Sequence, residues 1–275
     1  MARKRKQSRN LSKFGRGIFA VAVVMAMIFS QAAFAPPVEA AGDWWNESWT
    51  YRMQIDFAPD NYGENAQLKL VIPRQTGMAA DLADIRFLEN ADSVTALPYW
   101  IENTSADPFT VWVLRDNTDN QVQMYWGNGG ATSAENGEHV FENGWFDAFN
   151  GDNLNGIKWS QQAGSVAVSG GLLTVQGGSS AWESVGSRAT FREGLVLMFR
   201  AKIKGVNTGI GFASNYGLDR PQAYIGDSDP VGNHRAISGT AASQVTAIAY
   251  ASDTYRDYEI VHEAQPQSFY IDNAL

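Results

Sequence analysis

From Trp44 onward, apolar and polar residues alternate in short runs, and no stretch of ten or more residues keeps a helical period. In Val122-Gln123-Met124-Tyr125-Trp126 the valine, methionine and tryptophan share one strand face. In the run from Phe109 to Val113, positions 109, 111 and 113 fall on one side and Trp112 on the other. Similar runs are Ser165 to Ser169, Leu172 to Gln176, Leu195 to Ile203, Val245 to Tyr250 and Tyr258 to His262. Turn signals separate them: Gly129-Gly130, Gly170-Gly171, Gly177-Gly178, Asn207-Thr208-Gly209 and Asp227-Ser228-Asp229-Pro230. Many short strands with regular punctuation predict an all-β protein of antiparallel sandwiches. The one helical hint is Gly77 to Ala83, a turn or two at most. The polar stretch Ala131 to His139 predicts a linker or a long loop, with the chain open to proteases between Ala131 and Gly144. The sequence then restarts with the aromatic cluster Trp145-Phe146-Asp147-Ala148-Phe149.

The first forty residues follow another pattern. Seven basic residues (Arg3, Lys4, Arg5, Lys6, Arg9, Lys13, Arg16) precede the unbroken apolar run Ile18 to Phe29, and small residues follow at Ala32 to Ala35. Basic, apolar and small-residue regions in that order predict a secretory signal peptide, helical in its apolar part. Val38-Glu39-Ala40 has small residues where cleavage needs them, so the cut is expected between Ala40 and Ala41. The alternative is an uncleaved anchor, the chain's only expected contact with a membrane. Ile18 to Ala35 is just long enough to cross about 30 Å of hydrocarbon, and Gln31 interrupts it.

Charge and composition narrow the partners. Removing that segment's seven bases and single acid, Glu39, from totals of 21 and 29 leaves 14 bases against 28 acids. So acidic a body argues against nucleic acid as a partner. The absence of cysteine excludes disulfides, thiolate zinc sites and cysteine nucleophiles.

Residues 44 to about 142 resemble a prokaryotic family known as DUF 2341. The resemblance rests on Trp45, Trp49-Thr50-Tyr51-Arg52, Ala83-Asp84-Ile85-Arg86-Phe87, Leu97-Pro98-Tyr99-Trp100-Ile101-Glu102, Val111-Trp112-Val113 and Met124-Tyr125-Trp126-Gly127-Asn128. It implies an extracellular β-sandwich with no established activity. Residues 145–275 resemble the concanavalin A-like lectin/glucanase superfamily, including laminin G-like modules. That resemblance rests on Phe146 to Gly151, Leu154-Asn155, Lys158-Trp159, Gly164 to Val175, Tyr258 to Val261 and Ser268 to Asn273. It implies a second sandwich of jelly-roll type. Because the chain stops at Leu275 where that superfamily continues, an incomplete module and further downstream modules are expected. The expected organisation is a signal peptide over 1–40, a first sandwich over 41–142 and a second over 143–275.

Catalysis finds little support. A glucanase of this kind carries Glu-x-Asp-x-x-Glu on one strand, where alternation aims the carboxylates into a cleft, and no such string occurs. His139, His234 and His262 are scattered, and there is no Gly-x-Ser-x-Gly elbow. Carbohydrate binding or adhesion is the sharper expectation, since sugars pack against Trp and Tyr rings. Trp44, Trp49, Trp100, Trp112, Trp126 and Trp159 are assigned to the framework. Trp182, Tyr216, Tyr224 and Tyr250 remain, with the polar loop residues Asn215, Asp227, Asp229, Asn233, His234 and Arg235, of which Asp227 to Arg235 form the expected rim. Asp147, Asp152 and Asn153, or Asp227 and Asp229, offer hard oxygen ligands for calcium; solvated turns are the competing reading. No other cofactor is expected. The chain therefore reads as a secreted or cell-surface protein that binds a glycan or surface polymer. Its rivals are a spacer without a small ligand and a hydrolase fragment whose catalytic strand lies beyond Leu275.

Overall fold

The fold comes from a computed structural model that describes residues 44–57, 65–90, 93–115, 120–141, 145–163, 165–176, 184–191, 194–203, 208–213, 222–227, 233–239, 244–251, 254–262 and 268–272. At 162–163, 222–224, 226–227, 233–239 and 244–251 the description is of backbone alone. The whole signal segment and the Ala40/Ala41 junction lie outside the described residues. No helix among the described residues is long and apolar enough to cross a membrane.

The protein is nearly all β, and its paired strands are antiparallel. Six strands build the N-terminal half: β1 (Tyr51–Asp56), β2 (Gln67–Ile72), β3 (Arg86–Leu88), β4 (Tyr99–Ile101), β5 (Phe109–Leu114) and β6 (Gln121–Trp126). They form two three-stranded sheets, β1-β6-β3 and β2-β5-β4. One hydrophobic cluster draws on both, with Ile55, Phe87, Val122 and Met124 from the first and Leu70, Tyr99, Phe109, Val111 and Val113 from the second. Alternation thus buries positions 109, 111 and 113 together, as the sequence pattern requires. Trp112 and Leu114 on the opposite face are also buried, in a separate cluster with Val140. The sheet β2-β5-β4 is therefore covered on both sides.

That second cover overturns the linker alternative and leaves a packed loop ending in a short helix. Residues 137–140 form α1 (Gly137–Val140), the one helix among the described residues, and Val140 is fully buried. The approach to it is bonded to the sheets: Arg86 donates to the Thr132 carbonyl at 2.8 Å, Asn136 N to the Tyr99 carbonyl at 2.8 Å, and Gln67 Nε2 to the Val140 carbonyl at 3.1 Å. Segment 131–141 is part of the folded N-terminal half. Limited proteolysis followed by mass spectrometry should accordingly find no early cut between residues 131 and 141; rapid cleavage there would contradict the packing.

The helical hint at Gly77 to Ala83 is also corrected, because the segment forms only isolated turns. Side chains claim the backbone groups a helix would need. Arg74 donates to the Ala79 and Ala80 carbonyls, and Asp84 Oδ1 accepts from Ala79 N at 3.0 Å.

The C-terminal half contains β7 (Trp159–Ala163), β8 (Ser165–Ser169), β9 (Leu172–Gln176), β10 (Ser184–Ser187), β11 (Leu195–Ala201), β12 (Thr208–Ala213), β13 (Gln222–Asp227), β14 (Asn233–Gly239), β15 (Gln244–Ala251), β16 (Arg256–His262) and β17 (Ser268–Ile271). These form a four-stranded sheet β12-β13-β14-β15, a three-stranded sheet β11-β16-β17 and the pairs β7/β10 and β8/β9. Ile203, Ile225, Tyr258, Ile260 and Ile271 make its buried cluster, again drawn from two sheets.

Candidate functional site

Among the described residues a concavity lies where the two halves meet, and it begins with the cap of α1. Asn136 Oδ1 accepts from His139 N at 3.0 Å, closing the first turn. Glu135 Oε1 accepts from Ile101 N at 2.8 Å, which lays the same segment along β4. Phe141 then enters an aromatic cluster, with ring centroids 5.7 Å from Trp112 and 6.0 Å from Trp100. Phe146 completes it, edge-on to Trp100 at 5.0 Å and stacked on Phe141 at 5.6 Å. Position 137 must be glycine for this ring to seat, since an added Cβ would lie 2.4 Å from the Phe146 ring. Met198 of β11 packs onto the cluster of Trp112, Leu114 and Val140 from the C-terminal half.

The opposite wall is the loop over residues 146–155. Asp147 organises it: Oδ1 accepts from Phe149 N and Oδ2 from Trp159 Nε1, both at 2.8 Å. Trp159, expected in the core, is only half-buried, with Trp145 at 4.1 Å and Phe149 at 5.6 Å from its ring. Lys158 ties the walls together by pairing with Glu138 and donating to the Phe146 carbonyl. Between the walls is a cleft of about 470 Å³, within the size range of small-molecule sites. Trp100, Phe146 and Phe149 supply its aromatic lining, and Asn136, Asn150, Asn153 and Asn155 its amides.

Residues 81–162 match the family described as Domain of unknown function (DUF2341). The match begins later than the expected boundary at 44 and runs past 142 into β7. Every residue lining the cleft falls inside the DUF2341 segment, so both walls belong to it. No curated protein and no solved structure matches the chain.

The rim predicted from sequence is described only in part. Trp182, Tyr216 and Asp229 lie outside the described residues, as does the turn after Asp227. The backbone of Tyr224 and Asp227 belongs to β13 and that of Asn233, His234 and Arg235 to β14. The register pairs Asp227 with His234, Gly226 with Arg235 and Tyr224 with Ile237, and sets Thr208 beside Asp227. The hairpin end therefore gathers positions 227, 233, 234 and 235. Pleating nonetheless splits them, with 225, 227 and 234 on one face of the sheet and 224 and 235 on the other.

Of the expected calcium ligands, Asp229 and the side chain of Asp227 lie outside what the structure describes. Asp147 spends both oxygens on internal donors, and Asp152 is exposed beyond the cleft lining. Among the described residues no three His, Asp or Glu side chains cluster to hold a metal. His262 ends β16 with its ring stacked on Phe212 at 4.5 Å.

Glu259 lies across the junction from β2. Burial pushes its carboxyl up, and the charge of Lys69 pulls it partly back. Lys69 also pairs with Glu102 at 3.6 Å, and Glu102 accepts from Trp112 Nε1 at 2.7 Å. The Tyr99 phenol is likewise raised by burial, against the charge of Arg86. These groups are tied into packing.

Asn150 and Asn155 did not figure among the sequence candidates. The signal was present in Asn150-Gly151-Asp152-Asn153-Leu154-Asn155-Gly156, an amide-rich loop, but Asp152 and Asn153 were counted as calcium ligands. Trp100 was assigned to the framework, and half of it is, through its contacts with Phe141 and Phe146.

Proposed function

We propose that the chain is an exported, non-catalytic surface protein of two β-sandwiches in series, whose C-terminal half binds a glycan or another surface polymer. The observation that carries this reading is the β13–β14 hairpin, where polar positions 227, 233, 234 and 235 converge at one end of a four-stranded antiparallel sheet. Export rests on the basic, apolar and small-residue order of residues 1–40. The sandwich assignment rests on the two cores, each drawn from two sheets. A lack of Glu-x-Asp-x-x-Glu supports a binding role over hydrolysis. The tight aromatic junction favours a second reading, a stiff spacer that binds no small ligand.

Replacing Trp182, an aromatic platform expected from the sequence, tests the first reading. Ring stacking is worth on the order of 1–3 kcal/mol on nucleobases, and a sugar face should give no more. Trp182→Ala should therefore weaken the best-bound array glycan about ten- to a hundredfold without lowering thermal stability. Trp159→Ala should lower thermal stability, because it removes ring contacts with Trp145 and Phe149 and the bond to Asp147. Unchanged affinity in Trp182→Ala would remove that ring from the rim.

A further inference from the structure

The junction cleft is lined by side chains whose chemistry is distinctive. Three carboxylates line it, and each is already matched. Glu135 accepts from Ile101 N and Ser133 Oγ, Glu138 pairs with Lys158, and Asp147 accepts from Phe149 N and Trp159 Nε1. Asn136 and Asn155 each spend Oδ1 on a backbone N–H, of His139 and Ile157, which leaves Nδ2 as a donor. Asn150 and Asn153 are exposed on the loop and add amides that both donate and accept. Trp100 and Phe146 give the cleft an apolar wall.

We propose that this cleft binds a neutral saccharide unit, whose C–H face packs against the Trp100–Phe146 wall and whose hydroxyls bond to the loop amides. Paired donors and acceptors on amides match vicinal hydroxyls, and the carboxylates of Glu135 and Asp147, bonded only to neutral donors, disfavour an acidic sugar. The proposal rests on the carbohydrate-binding reading but adds a site on the DUF2341 segment, away from the hairpin rim. Both walls are held rigidly, by the Lys158–Glu138 pair and by the close approach of Phe146 to Gly137.

Calorimetric titration of the full exported chain tests it, with neutral hexasaccharides of glucose, mannose and N-acetylglucosamine as probes and hexagalacturonate as the acidic comparison. At least one neutral hexasaccharide should bind, and hexagalacturonate should bind at least tenfold more weakly. The double variant Asn150→Ala/Asn153→Ala should weaken the neutral ligand tenfold or more at unchanged melting temperature, since both residues are exposed. Gly137→Ala, which displaces Phe146, should weaken it independently. Neutral binding that the double variant leaves untouched would overturn the cleft while the wider carbohydrate-binding reading stands, with Trp182→Ala then locating the site. Failure of every neutral probe, or preference for hexagalacturonate, would overturn the cleft directly.

Discussion

Phe87→Ala should cost the N-terminal half about 3–5 kcal/mol, the range for removing a fully buried aromatic side chain. Phe87 is wholly inaccessible on β3, and its ring meets Tyr99 of β4 edge-on at 5.5 Å. Those strands belong to different sheets, so the contact spans the shared core rather than one layer. Its carbonyl also accepts from Leu97 N at 2.7 Å, an interaction that truncating the side chain leaves in place. The loss should therefore report packing alone. Phe87→Leu, which keeps much of the volume, should recover most of it. Urea unfolding would show the midpoint falling at constant slope. A loss below about 1 kcal/mol would mean that the two sheets do not share this core.

Asp84→Ala should cost about 2–5 kcal/mol by a different route. The side chain is almost entirely buried, and its two oxygens accept from Ala79 N at 3.0 Å and Gly127 N at 2.8 Å. Its carbonyl accepts from Trp49 Nε1 at 2.8 Å. One residue thus fastens the turns before β3 to the end of β6. Alanine strands two backbone donors, each worth about 1–3 kcal/mol when left without an acceptor. Gly127 itself must be glycine, since it sits at φ 89° with Tyr51 2.7 Å from where a Cβ would be. Asp84→Asn keeps one acceptor and sets an amide N–H against the other donor, so it should recover less than half the loss. Near-complete recovery by Asn would show that only one of the two bonds matters.

These two residues also mark what the sequence made legible. Alternation located β8 and β9 at their observed bounds and assigned the opposite faces of β5 correctly, because a strand's inward and outward rows follow from local pattern alone. It missed α1, whose four residues carry no period. Tertiary contacts decide that helix: Gly137 accommodates Phe146, and Val140 covers Trp112 and Leu114. It overstated Gly77 to Ala83, where Arg74 and Asp84 take the backbone groups, an arrangement that composition does not reveal. The hairpin rim was legible as a turn between two strands, but its split across the pleat needed the register. The cleft was not legible, because Trp100, residues 135–138 and residues 146–155 meet only through packing between distant segments.

The most direct test of the account is a broad glycan array probed with the chain, repeated with calcium chelated. The account predicts saturable binding to at least one glycan, lost when the C-terminal aromatic and amide residues are replaced. No binding to any glycan, with or without calcium, would contradict it and leave the stiff spacer in its place.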